Sequence, residues 1–253
     1  MTRSRPALVS LVMLAGACAA TAQPAPKPDG QWRAWLSTGF THASGNTSAT
    51  TATFKTDAVR ATDIDKWILY GEGLRAHSEG VTSGNRIRLG GRYDWNLSPR
   101  LFSFGSLELE RDTVAELDRR TNVGTGLGYK LIDRDDLRFS TFGGLSLTSD
   151  RYLAPRLVDG ELRLRFDRPT ALLGEESTHK MTASTTANQR LVISSDLDNR
   201  GAFRAQWDSN LAVAMTNTIS LTVGLNLRYD SAPAPGLKGT DSLLTTGIAM
   251  KFE

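Results

Sequence analysis

From Asp29 onward, apolar and polar residues alternate with a period of two rather than 3.6. In Arg86–Trp95 the odd positions hold Ile87, Leu89, Tyr93 and Trp95, and the even positions hold Arg86, Arg88, Arg92 and Asp94. A β-strand sends successive side chains to opposite faces, so one face here is apolar and the other charged. Thr218–Asp230 repeats the pattern, with Ile219, Leu221, Val223, Leu225, Leu227 and Tyr229 set against Ser220, Thr222, Gly224, Asn226, Arg228 and Asp230. In Thr121–Leu131, Val123, Leu127, Tyr129 and Leu131 oppose Asn122, Gly124, Gly126, Gly128 and Lys130.

Several of these runs exceed the five or so residues usual in soluble sheets and reach the about nine to eleven that a tilted strand needs to cross a bilayer. Turn formers separate them: Ser44-Gly45-Asn46, Thr62-Asp63, Ser83-Gly84-Asn85, Asn96 to Arg100, Asp133 to Asp136, Asp196 to Asn199 and Met215 to Asn217. The pattern predicts an all-β fold, a closed antiparallel transmembrane β-barrel of about twelve strands, an even number as bacterial barrels require. The strands are expected to begin near Trp35, Thr47, Lys66, Asn85, Leu101, Arg119, Asp136, Thr178, Leu191, Gly201, Thr218 and Thr240. Pro155 and Pro169 interrupt Arg151–Ser177, which reads most simply as a long external loop, with an extra hairpin as the alternative. Tight connections follow the even strands (Ala61–Asp65, Asn96–Pro99, Ile132–Asp135, Ala187–Arg190, Met215–Asn217), and the longest, Arg151–Ser177 and Ser231–Gly239, follow odd ones. That asymmetry sets the short turns and both termini in the periplasm.

The N-terminal segment stands outside this pattern. Arg3 and Arg5 precede a short apolar core, Ala7–Ala17, and Ala20-Thr21-Ala22 supplies a small-x-small cleavage site. Residues 1–22 are therefore expected to be a signal peptide, 23–31 a proline-rich spacer and 32–253 the barrel. The rival reading, a lipoprotein acylated at Cys18, lacks the expected large residue three positions earlier, where Ala15 stands. Cys18 is the only cysteine, so disulfides have no part in the mature fold. The formal charge of +3 over 253 residues, with both signs interspersed, gives no nucleic-acid signature, and no mature stretch is long and apolar enough for a membrane helix.

Energetics assign the faces. A lysine or arginine facing lipid at mid-bilayer costs roughly 2–4 kcal/mol. Placing Arg86, Arg88 and Arg92 there together would rival a domain's whole stability of about 5–15 kcal/mol. The expected lumen-lining set is therefore Glu72, Arg86, Arg88, Arg92, Asp94, Glu108, Glu110, Arg120, Lys130, Arg138, Arg204, Asp208, Arg228 and Asp230. These charges either line a narrow water-filled passage or pair into a network that plugs it; twelve strands lie between filled eight-stranded barrels and open large ones, and a largely occluded lumen is expected. Tyr93, Trp95, Tyr129 and Tyr229 suit the headgroup boundary. Phe252 lies on the apolar face of the last strand, where the barrel-assembly machinery reads a terminal aromatic, although Glu253 follows it.

Other chemistry is thin. His42 and Ser44 resemble parts of a hydrolase triad, but Ser-Gly-Asn there is explained by a turn. His77 and His179 show no ligand spacing. Gly124-Thr125-Gly126-Leu127-Gly128 lies within a strand and is no nucleotide loop; its inward glycines make room in a narrow lumen. No catalytic residue, cofactor site or metal site is expected.

Four segments, Gly39–Thr47 (GFTHASGNT), Arg92–Asp112 (RYDWNLSPRLFSFGSLELERD), Gly126–Asp133 (GLGYKLID) and Leu225–Phe252 with RYDSAPAPGLKGTDSLLTTGIAMKF, together resemble the salt-induced outer membrane protein family, a domain family of unknown function. The resemblance spans nearly the whole mature chain and is weakest over Pro155–Ser177. It implies a barrel in the bacterial outer membrane, in contact with its lipid, and a link to salt or osmotic stress. It transfers no activity, cofactor or catalytic residue. Three functions follow as expectations: a non-enzymatic structural or narrow-pore barrel, a solute-specific channel, and an outer-membrane hydrolase using His42 and Ser44.

Overall fold

The computed structural model describes residues 27–43, 49–158, 161–198, 202–232 and 239–252. The expected signal segment lies outside them, as do residues 23–26 of the spacer. Twelve strands form one closed antiparallel barrel, and each pairs with its sequence neighbours. They are β1 (Trp32–Ala43), β2 (Ala49–Ala61), β3 (Asp65–Ser78), β4 (Val81–Asn96), β5 (Leu101–Asp112) and β6 (Leu117–Asp133), followed by β7 (Leu137–Val158), β8 (Glu161–Lys180), β9 (Thr185–Asp196), β10 (Phe203–Ala214), β11 (Ile219–Asp230) and β12 (Thr240–Phe252). Closure is made by β1 on β12, from Ala34 opposite Phe252 to Gly39 opposite Gly247.

The alternation behaves as barrel geometry demands. On β4, Ile87 and Leu89 are half exposed on the outer face, while Arg86, Arg92 and Asp94 are buried inside. The outer face continues through Leu107, Leu109, Val123, Leu127, Leu145, Leu147, Leu173, Leu221, Val223 and Ile248. An exposed apolar surface of this extent is far beyond what a soluble monomer presents.

Three boundaries differ from the sequence reading. The eighth strand begins at Glu161 rather than near Thr178, so the span expected to be a loop, Arg151–Ser177, instead holds the end of β7 and most of β8, which runs back to the short-turn end, with Ser177 opposite Phe139. Both prolines are accommodated. Pro155 falls in the bulge between Arg151 and Arg156, where no ladder donor is required. Pro169 accepts a hydrogen bond from Leu197 N (3.0 Å), so its missing N–H faces the side where β9 has ended its pairing at Asp196. The ninth strand begins at Thr185 rather than near Leu191, because the turn predicted at Ala187–Arg190 is made earlier, at residues 181–184. There Thr182 Oγ1 accepts from Ser184 N and Thr185 N. The turn expected at Ser83–Asn85 is instead Glu79-Gly80, whose positive φ angles of 52° and 80° suit a two-residue hairpin. Ser83 becomes the extra residue of a bulge opposite Ala76 and His77.

The connections following even strands span residues 62–64, 97–100, 134–136, 181–184 and 215–218, all short. Thr62, Thr182 and Thr216 repeat one device there, each hydroxyl accepting from two backbone amides further on. At the opposite end, the β7–β8 hairpin rises past the last β6 pairing (Leu117 with Tyr152) and the last β9 pairing (Thr170 with Asp196). Aromatic side chains mark both ends. Trp32, Trp67, Trp95, Tyr129 and Phe252 are exposed at the short-turn end, where Trp67 packs on Tyr93 with ring centroids 4.6 Å apart. Tyr229 sits at the other end against Phe203, 5.3 Å away.

Candidate functional site

Inward residues at mid-height belong to strands that face each other across the barrel, and their side chains meet. On β4, Arg88 Nε lies 2.9 Å from Glu72 Oε1 of neighbouring β3, while its Nη1 donates to Gln206 Oε1 (3.4 Å) on distant β10. Arg228 of β11 approaches Glu72 on β3 (3.8 Å) and Glu110 on β5 (3.6 Å). Arg92 of β4 donates from Nη1 to Glu176 Oε2 of β8 (3.4 Å). Apart from Arg88 with Glu72, which are cross-strand partners on β4 and β3, none of these pairs joins adjacent strands, so each of the others spans the lumen. Around them, Arg86 adds a contact to Glu72 (3.7 Å), and Tyr70 donates its hydroxyl to Glu108 (2.6 Å). Asp208 is held by amides, accepting from Gln206 Nε2 (2.7 Å) and from Asn226 Nδ2.

Toward the loop end a second cluster centres on Asp150, which has no exposed surface. It accepts from Arg120 Nε (2.6 Å) and Nη2 (2.9 Å), from Arg168 Nη2 and from the Tyr152 hydroxyl (3.3 Å). Arg120 also lies 3.8 Å from Glu110, linking this cluster to the mid-height network.

Toward the short-turn end the inward face turns apolar, a departure from the purely ionic interior that alternation predicts. Phe102, Phe104 and Phe142 form a buried cluster with Leu172 and Val192. The Arg92 guanidinium packs against all three rings, 4.8–5.4 Å from their centroids, while its Nε donates to Asp94 (2.5 Å). Glycines make the space. Phe102 pairs with Gly128, Phe104 with Gly126, Phe142 with Gly174 and Tyr70 with Gly90, and each ring occupies the volume that a Cβ on the opposite glycine would take. Gly126 and Gly128 of β6 thus make room for rings from β5, while Gly124 faces Ser106 and Ser146.

The residues singled out in the sequence separate by height. Glu72, Arg86, Arg88, Arg92, Asp94, Glu108, Glu110, Arg120, Asp208 and Arg228 come together in the interior. Lys130, bonded to Asn96 Oδ1 (3.1 Å), and Arg138, paired with Asp133 (3.3 Å), stand at the short-turn rim. Arg204 and Asp230 pair at the loop rim (3.0 Å). Sequence reasoning missed Asp150, Arg168, Glu176 and Arg190. Three of these lie on β8 and β9, whose starts were misplaced, and Asp150 immediately preceded the supposed loop. The alternation Ser146, Thr148, Asp150 was the available signal for the last.

No enzymatic constellation emerges among the described side chains. The backbone of His42 pairs with Thr50 in the β1–β2 ladder; its side chain and Ser44 lie outside the description. His77, near Thr82 Oγ1 (3.3 Å), and His179 sit at opposite ends of the barrel. Among the described residues, no group of three or more His, Cys, Asp or Glu is arranged to hold a metal ion.

A model of the family described as "Protein of unknown function, DUF481" matches residues 36–252. No curated protein matches the chain. Among solved structures, the translocator domain of the autotransporter NalP from Neisseria meningitidis is similar with a TM-score of 0.51, at 12% identity over 89% of this chain and 90% of that one. The NanC porin gives 0.48 at 11% identity, over 87% and 97% of the two chains. The KdgM porin gives 0.45 at 10% identity, over 88% and 100%. At such identities the likeness is one of fold.

Proposed function

The chain belongs to the DUF481 family, and from that membership and the geometry above we propose that it is a non-enzymatic outer-membrane barrel whose lumen is closed at mid-height by its own charged side chains. The observation carrying this reading is the set of contacts across the lumen: Arg228 to Glu72 and Glu110, Arg88 to Gln206, and Arg92 to Glu176. A water-filled passage wide enough for solutes keeps facing walls apart, whereas these walls touch. Opposite charges held this close attract strongly in the low-dielectric interior, so the plug also stiffens the barrel. The outer apolar band supports membrane insertion, and a closed barrel is the form in which strands satisfy their backbone groups in lipid. Short turns face the periplasm, and the β7–β8 hairpin projects outward. The resemblance to salt-induced outer membrane proteins supports a role in salt or osmotic stress; an unchanged protein level after a salt shift would remove that link.

The test is single-channel recording in planar bilayers, on protein that migrates differently on a denaturing gel before and after boiling. Wild type is expected to be silent, and Arg88→Ala combined with Arg228→Ala to give stepwise conductance. Regular steps from the wild type, with ion selectivity altered by Arg88→Glu or Arg92→Glu, would replace this reading with that of a solute-specific channel.

A further inference from the structure

On the outer surface, four adjacent strands each place an arginine at one height near the loop end: Arg111 on β5, Arg119 on β6, Arg151 on β7 and Arg165 on β8. Arg119 pairs directly with Arg151, and Arg151 directly with Arg165. Like charges opposite each other across strands destabilise a sheet. Here the row is only partly balanced: Asp118 lies 3.9 Å from Arg111 and 3.5 Å from Arg151, and Asp167 lies 3.1 Å from Arg165. The guanidiniums are exposed, so these pairs are weak and water-screened. Immediately below, the surface becomes apolar. Ile87, Leu89 and Leu109 join Arg111, Asp118, Arg119 and Arg151 around a groove of about 280 Å³, with Glu110 behind it turned inward to Arg120 and Arg228.

We propose that this groove binds lipopolysaccharide through the phosphates of its lipid A anchor, with acyl chains lying on Ile87, Leu89 and Leu109. The inference rests on the membrane orientation proposed above, which puts this end of the barrel in the outer leaflet. Surplus cationic charge above and apolar surface below match an anionic amphiphile. The width selects which one. Four strands spaced about 4.8 Å apart carry the arginines across roughly 14 Å, a row suited to a diphosphorylated disaccharide, whereas one phospholipid phosphate engages only one or two guanidiniums. Arginine is also the side chain whose planar fork fits phosphate oxygens in pairs.

The experiment titrates the folded full chain in detergent with deep-rough lipopolysaccharide, with its dephosphorylated form and with phosphatidylglycerol, reading retained lipid by native mass spectrometry. Lipopolysaccharide is expected to stay bound, the other two to bind at least tenfold more weakly, and Arg119→Ala with Arg151→Ala to weaken lipopolysaccharide binding at least tenfold. Removing exposed arginines that repel each other leaves folding intact, which the boiled-versus-unboiled gel shift of the same variant verifies. Equal retention of all three lipids, or no loss in the arginine variant, would overturn the site. Loss of the gel shift in wild type would instead overturn the barrel reading on which the site depends.

Discussion

Replacing Asp150 by alanine is expected to destabilise the barrel by roughly 3–5 kcal/mol, the cost of removing one partner from a buried charge cluster. Asp150 has no exposed surface and accepts from Arg120, Arg168 and Tyr152. Without it, two guanidiniums face each other near the loop end with, among the described residues, Glu110 (3.8 Å) and Asp196 (3.9 Å) in reach. Both arginine side chains keep about a fifth of their surface exposed, so water offsets part of the loss and the low end of the range is expected. Asp150→Asn retains the acceptor and should lose less. Urea unfolding of vesicle-inserted protein reads the difference; matching midpoints for wild type and Asp150→Ala would show that the cluster holds nothing together.

The second large effect belongs to the outer face. Leu145 is 60% exposed at the middle of the part of β7 that pairs with β6. An arginine there meets hydrocarbon at full cost, roughly 2–4 kcal/mol. The same change at Leu153, beyond the last regular β6 pairing on the projecting hairpin, is expected to cost about 0–1 kcal/mol because it lies outside the apolar band. Parallel unfolding curves for the two variants check the contrast. Equal penalties would mean that depth along β7 does not correspond to depth in a membrane.

Barrel architecture was legible because period-two alternation is a local property. Arg86 to Trp95 declares both faces of β4 without reference to any other strand, and most strand starts fall within a few residues of their expected places. Other features depend on neighbours. Pro169 reads as a strand breaker in isolation, yet it is harmless beside a β9 that has already ended at Asp196. Misplacing β8 then hid Arg168 and Glu176 from the interior set. Phe102 and Phe104 point inward because Gly128 and Gly126 face them on β6, a match between strands that the F-x-F and G-x-G patterns carry only once β5 and β6 are paired in register. The pairing of Arg228 with Glu72 is set by barrel curvature, which brings β11 and β3 within reach across the lumen.

Which face meets lipid can be read directly by single-cysteine labelling, since Cys18 is the only native cysteine and Cys18→Ala clears the background. A fluorophore would be placed in turn at positions 86, 87, 88 and 89 of β4 and 221, 222 and 223 of β11, in vesicles containing a lipid-borne quencher. Strong quenching is predicted at 87, 89, 221 and 223, with little at 86, 88 and 222. Uniform quenching along either strand, or quenching strongest at the positions of Arg86 and Arg88, would contradict a barrel that turns its charges inward.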